Sequence, residues 1–317
     1  MTSNALNPTF ADAMVRVTER AAVASETMVG RGDEKAADQA AVDAMRTALN
    51  EVVMKGRIVI GEGERDEAPM LFIGEEVGTG EGTEIDIALD PLEGTTLTAK
   101  AMPNALAVLA IAPRGGLLHA PDVYMDKIAV GPGYPAGVID LDKSTIENAK
   151  AVAAAKGVEV GQLNVCVLDR PRHAKIIEDL RSLGIRISLI SDGDVAGIIN
   201  TTNPDTGIDL YLGSGGAPEG VLAAAALKCV GGQMQGRLTF RNDDERGRAT
   251  RIGITDLDKK YDLHELCSKD AVFAATGVTN GGLLAGVKRQ NGKVYTDSIV
   301  MSSFDGVVRN VKSTYPG

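Results

Sequence analysis

The chain has 317 residues, a hydrophobic fraction of 44% and a formal net charge of −10, which gives room for two packed lobes and an acidic field that repels nucleic acid. No uncharged apolar run reaches the ~18 residues needed to cross a bilayer. Cys166, Cys229 and Cys267 are too few and too scattered for a disulfide framework, and the amino terminus lacks the basic start and apolar run of a secretory signal, so a cytoplasmic protein with neither membrane nor nucleic-acid partner is expected.

Helical spacing of Phe10, Met14, Val17, Ala21 and Met28 predicts a helix over 10–28, stopped by Gly30 and Gly32. A second helical face, Val42, Met45, Leu49 and Val52, predicts a helix over 36–53. Three short strands follow at 57–60, 84–89 and 106–111, flanked by Gly, Pro or Asn. Beyond Ser144 helices at 145–156, 173–183 and 218–230, with a short one near Ala196, alternate with strands at 163–168, 186–190 and 209–212. That alternation implies right-handed crossovers and a parallel sheet covered on both faces. The tail reads as extended at 272–278, with an Asn291-Gly292 hairpin signal, and adds strands to either lobe. The expected class is α/β, with an α+β lobe over 1–160 and a parallel-sheet lobe over 161–317.

The most informative string is Asp90-Pro91-Leu92-Glu93-Gly94-Thr95. A strand delivers two carboxylates three residues apart, Pro91 is expected to force a turn after Asp90, and Gly94 and Thr95 offer backbone N–H groups to a phosphate. An arbitrary D-x-x-E is usually a cap beside a solvated acid; acid, turn former, acid, glycine and hydroxyl in this order favour a shared metal and phosphate site. Glu62, freed by Gly61 and Gly63, and Asp66 form a second acidic loop that by itself reads as solvated. The glycine-rich stretch 213–220 reads as a strand-to-helix turn, with Glu219 at the helix start and Gly216 leaving room for a ligand. Arg170 and Arg172, in Asp169-Arg170-Pro171-Arg172-His173, suit a phosphate remote from the acids. Asp192, Gly193 and Asp194 follow the next strand and suit either sugar hydroxyls or a helix cap, Tyr124 suits the same pocket or a half-buried core position, and His173 suits capping or packing.

The DPLEGT string resembles the lithium-sensitive, metal-dependent sugar and inositol phosphatase superfamily. The further strings AADQAAVDAM, VIGEGERDEAPML, NALAVLAIAP, APDVYMDKIAVGPG, DRPRH, SDGD and GGAPEG resemble the class II, GlpX-type fructose-1,6-bisphosphatases over nearly the whole chain. The resemblance implies a layered α-β-α-β-α sandwich and Mn2+ or Mg2+ held by Asp38, Glu62, Asp90, Glu93 and Glu219. Asp38 comes from the resemblance alone, because residue pattern leaves it on a solvated helix face. Substrate contacts then fall on Glu93, Gly94, Thr95, Tyr124, Arg170, Pro171, Arg172, Asp192, Gly193, Asp194 and Gly216. Thr95 and Asp66 would act on the attacking water, with Glu93 beside them. Glu34-Lys35 stands where the family pattern usually reads Lys-Asn, which displaces one charge by a residue.

The implied activity is removal of the 1-phosphate of fructose 1,6-bisphosphate, with sedoheptulose 1,7-bisphosphate as a further substrate, by a homodimer or homotetramer serving gluconeogenesis or the Calvin cycle. An inositol-monophosphatase-like enzyme leaves the arginine pair without a use. A non-catalytic sugar-phosphate sensor does not need five intact acids, and nor does a nicotinamide-dependent oxidoreductase built on GSGGAPEG.

Overall fold

The computed structural model describes residues 6–63 and 70–317. In chain order the first stretch holds α1 (Pro8–Glu26), α2 (Glu34–Leu49), β1 (Lys55–Ile60), β2 (Glu76–Val77), β3 (Glu84–Glu93), α3 (Thr95–Ala99) and β4 (Leu106–Pro113). The middle holds β5 (Tyr124–Val130), α4 (Thr145–Lys156), β6 (Asn164–Leu168), α5 (Ala174–Ser182), β7 (Arg186–Ile190), α6 (Asp194–Ile199), β8 (Leu210–Gly216), α7 (Ala217–Val230), β9 (Gln233–Thr239), α8 (Asp243–Arg251), β10 (Lys260–Asp262) and α9 (Leu263–Leu266). The tail holds β11 (Val272–Gly277), β12 (Lys288–Gln290), β13 (Lys293–Ser302) and β14 (Val307–Pro316).

Two compact units result, one running up to Leu118 and resuming at Ser268–Gly317, the other spanning His119–Cys267. The division therefore falls at Leu118 and Cys267 rather than near residue 160. The reason is strand pairing: β5 joins β8 and β9, whereas β11 pairs with β4 and brings the tail back to the first unit.

In the first unit the strands run β12-β13-β11-β4-β3-β1-β2, with β14 on the outer side of β13. The Asn7 side chain caps α1 by accepting from the Thr9 and Phe10 N–H groups, and Pro8 fills the first helical turn. Met14 and Val17 of α1 and Met45 and Leu49 of α2 pack with Ile85, Ile87 and Leu89 of β3 and Leu109 and Ile111 of β4. Period-two alternation turns Asp86, Ala88 and Asp90 to the other face of the sheet. The hairpin signal holds, since Asn291 and Gly292 join β12 to β13 with φ of 54° and 68°, as a type I′ turn requires.

The second sheet runs β10-β9-β5-β8-β6-β7. Only β8, β6 and β7 are parallel; β5, β9 and β10 are antiparallel, so the expected parallel sheet is a mixed one. The stretch read as a glycine turn is strand: β8 continues to Gly216 and α7 starts at once. No disulfide joins the three buried cysteines. Among the described residues no helix is long and apolar enough to cross a membrane.

Candidate active site

Pro91 does not turn the chain. Strand β3 continues to Glu93 through a bulge, with Asp90 opposite Val108 and Glu93 opposite Leu106. Three steps on β3 match two on β4, and a proline, having no N–H to give the ladder, suits the extra position. Val108 and Leu106 share a face of β4, so the bulge sets Asp90 and Glu93 on one face of β3, where an unbroken strand would oppose them. Asp90 accepts the Leu92 N–H at 3.0 Å across the bulge, and Glu93 is buried.

Gly94 follows at φ 91°, the left-handed region, where a Cβ would also lie 2.8 Å from Leu97 Cδ1. It opens α3, and Thr98 makes the first intrahelical bond, to the Gly94 carbonyl at 2.9 Å. The Thr95, Thr96 and Leu97 N–H groups precede that bond, and Thr95 is half-buried.

Asp38 rides on α2, and Glu62 lies in the loop after β1, pinned by its own N–H on the Leu71 carbonyl at 3.1 Å. Burial raises the Asp38 carboxyl. Burial and then the charge of Asp38 push Glu62 up to about 8. A half-buried carboxylate raised by burial and by the charge of a second one fits a divalent cation, and an all-oxygen donor set suits a hard one. Among the described residues no three His, Cys, Asp or Glu side chains converge as a formed metal site. Asp66 lies outside the described residues. Lys35 is exposed at the start of α2.

In the second unit the DRPRH segment is tied to β8. His173 is buried, its Nδ1 lies 2.7 Å from the Leu168 carbonyl, and its Nε2 accepts the Ser214 N–H at 2.8 Å. It packs, as expected. Arg172 donates Nε and Nη2 to the Ser214 carbonyl at 2.9 and 2.8 Å, a neutral acceptor, pairs with no carboxylate among the described residues, and lies over the Tyr124 ring. Pro171 opens a single helical turn behind Arg170, which reaches Asp192 at 3.8 Å. Gly193, at φ 82°, caps α6.

Asp194 is buried and paired with Lys127, whose ammonium also donates to the Gly216 carbonyl at 2.6 Å. A Cβ on Gly216 would collide with the Glu219 carboxylate. Burial and the charge of Asp194 raise the Glu219 carboxyl, while Lys127 lowers it. Glu219 Oε2 is enclosed with no hydrogen-bond partner among the described residues, the state of an oxygen kept for a cation. Residue pattern missed Lys127, because nothing local in Tyr124–Val130 marks a lysine whose partner sits at the start of α6.

Residues 8–315 match the family model for bacterial, glpX-encoded fructose-1,6-bisphosphatase. The chain belongs to this family. It is 45% identical over 314 residues to the class 2 fructose-1,6-bisphosphatase 1 of Escherichia coli strain K12, covering 95% of this chain and 93% of that one, and equally to the class 2 enzymes of Escherichia coli O6:H1 and Shigella flexneri. Among solved structures, an inositol monophosphatase from Anabaena (Nostoc) sp. PCC 7120 aligns at TM-score 0.33 and 13% identity over 61% of this chain and 71% of its own. Family membership makes the chain a phosphoric monoester hydrolase and agrees with the resemblance drawn from the sequence.

Proposed function

We propose that the chain hydrolyses the 1-phosphate of fructose 1,6-bisphosphate, giving fructose 6-phosphate and inorganic phosphate, in a reaction that requires Mn2+ or Mg2+. The observation that carries this reading is the β3 bulge, which sets Asp90 and Glu93 on one face directly before the N–H groups that open α3. Asp38, Glu62, Asp90, Glu93 and Glu219 are the residues that would hold cations, and a divalent ion there supplies charge neutralisation and a more acidic water.

Phosphoryl transfer to water needs a positioned nucleophile, an in-line leaving oxygen and shielding of the phosphoryl charge. The N–H groups opening α3 receive phosphoryl oxygens, and the Thr95 hydroxyl orients the water. As the water oxygen bonds phosphorus, the ester bond to the sugar O1 breaks. Asp66 accepts the water's proton, and the leaving oxygen takes one from solvent. Arg170 and Arg172 hold the 6-phosphate, with Arg172 bonded to no carboxylate among the described residues. Asp192, Gly193 and Gly216 contact the sugar, while Asp194 acts through Lys127. Guanidinium groups read phosphate and not carbon number, so sedoheptulose 1,7-bisphosphate is a second substrate. A cytoplasmic homodimer or homotetramer remains the expected form.

The test is phosphate release by chelator-treated protein, with and without added Mn2+ or Mg2+, from both bisphosphates and from inositol 1-phosphate. Cation-dependent release confined to the bisphosphates is expected. Release from the monophosphate alone, or release indifferent to cations, would refute the reading.

A further inference from the structure

Arg172 is not alone on the Tyr124 ring. The guanidinium carbon of Arg241 lies 5.4 Å from the ring centroid, against 4.8 Å for Arg172, so a single half-buried phenol carries two cations. Two guanidinium groups repel each other, and the ring quadrupole offsets only part of that cost. Arg241 is paired with Glu245, whereas among the described residues Arg172 bonds a carbonyl and no carboxylate, so an anion beside the two groups would offset the charge of Arg172.

Arg241 is also built into place. It follows β9, and its backbone N–H and Nε reach the two carboxylate oxygens of Glu245 at 2.7 and 2.5 Å. Glu245 is buried in the first turn of α8, where its own N–H donates to the capping Asn242 side chain, so the residue that fixes the arginine is itself fixed by the helix start. The Arg241 side chain nevertheless stays 64% exposed, with Nη2 as well as Nε on Glu245. A fixed and largely exposed guanidinium, beside a second one that bonds no carboxylate among the described residues, is a clamp for a doubly charged oxyanion. Nothing in the sequence marked it, because Arg241 stands in an ordinary polar turn far from Arg170 and Arg172.

We propose that Arg241 is a further specificity-determining residue, a third guanidinium for the distal phosphate of the bisphosphate substrate, held on Tyr124 beside Arg172. The proposal rests on the phosphatase reading above and names the residue that sets preference for bisphosphates over monophosphates. It acts on binding, away from the bond that breaks.

The experiment is steady-state phosphate release by the cation-loaded enzyme from fructose 1,6-bisphosphate and from fructose 1-phosphate, which lacks the distal group. Arg241→Gln should raise KM for the bisphosphate about tenfold, the loss of one charge-assisted hydrogen bond, leave kcat unchanged and leave kcat/KM for fructose 1-phosphate unchanged. Arg241→Lys keeps the charge and the Glu245 partner but not the planar fork, and should fall between wild type and Gln. Arg246→Gln removes a nearby cation that lies over Phe240 instead and should leave both substrates as in wild type, which separates the clamp from general attraction. Should Arg241→Gln lose its circular dichroism signal, the lysine variant decides. An unchanged bisphosphate KM, an equal loss on both substrates, or the same loss in Arg246→Gln would overturn the proposal while leaving the phosphatase reading intact. A wild-type enzyme that does not prefer the bisphosphate would overturn that reading first, before any variant is made.

Discussion

Glu93 closes a strand and contributes a carboxylate at the same point, and Gly94 makes both possible by taking a backbone conformation open to few other residues. Exchanging Glu93 for Gln keeps the shape and removes the charge. Turnover should fall by about two to three orders of magnitude, the scale of losing one electrostatic contact to the transition state, while urea unfolding shows stability held or raised, because a buried charge has gone. Turnover within tenfold of wild type would remove Glu93 from the reacting centre. Gly94→Ala should behave differently. Positive φ and the approach to Leu97 make it cost about 1–3 kcal/mol in stability, so activity and unfolding midpoint should fall together.

At the scale of elements, the helices and hairpin came through local rules: the amphipathic faces of α1 and α2, and the Asn291-Gly292 turn. The misreadings came where a residue obeyed a distant partner. Pro91 looked like a turn because the β4 ladder that absorbs it as a bulge is invisible locally. The glycines of β8 looked like a loop because glycine is rare in strands; a Cβ on Gly215 would collide with the Asp194 carboxylate, which explains the smallest residue there. Strand β5 went unseen for the same reason, since a buried lysine signals a strand only once Asp194 and the Gly216 carbonyl are beside it. This cluster joins β5, α6 and β8. Lys127→Met should therefore strand a buried carboxylate and cost about 3–5 kcal/mol in urea unfolding, with much of the loss recovered in Lys127→Met/Asp194→Leu. A single variant as stable as wild type would show that the pair does not hold these elements.

For the molecule as a whole, the acid pairs tie stability to both cations and pH. The Glu62 carboxyl sits near 8 when folded, against an ordinary 4.5 when unfolded. Between those values the folded chain holds more protons than the unfolded one, so the stability it contributes is lost as pH rises through that window. In chelator, the thermal midpoint should decline from about pH 5 to about pH 8. A divalent cation that binds only the folded chain reverses the sign, because it selects the ionised pair. At a hundredfold excess over its dissociation constant it adds about 2.7 kcal/mol, an upward shift of roughly 5–10 °C for a unit of this size, largest at the alkaline end where the bare pair repels most. Glu62→Gln should flatten the decline in chelator and lose most of the cation shift in the same variant. A midpoint that ignores both pH and cations in wild type would mean that Asp38 and Glu62 do not share an ion, and the metal assignment would then have to rest on Asp90, Glu93 and Glu219 without them.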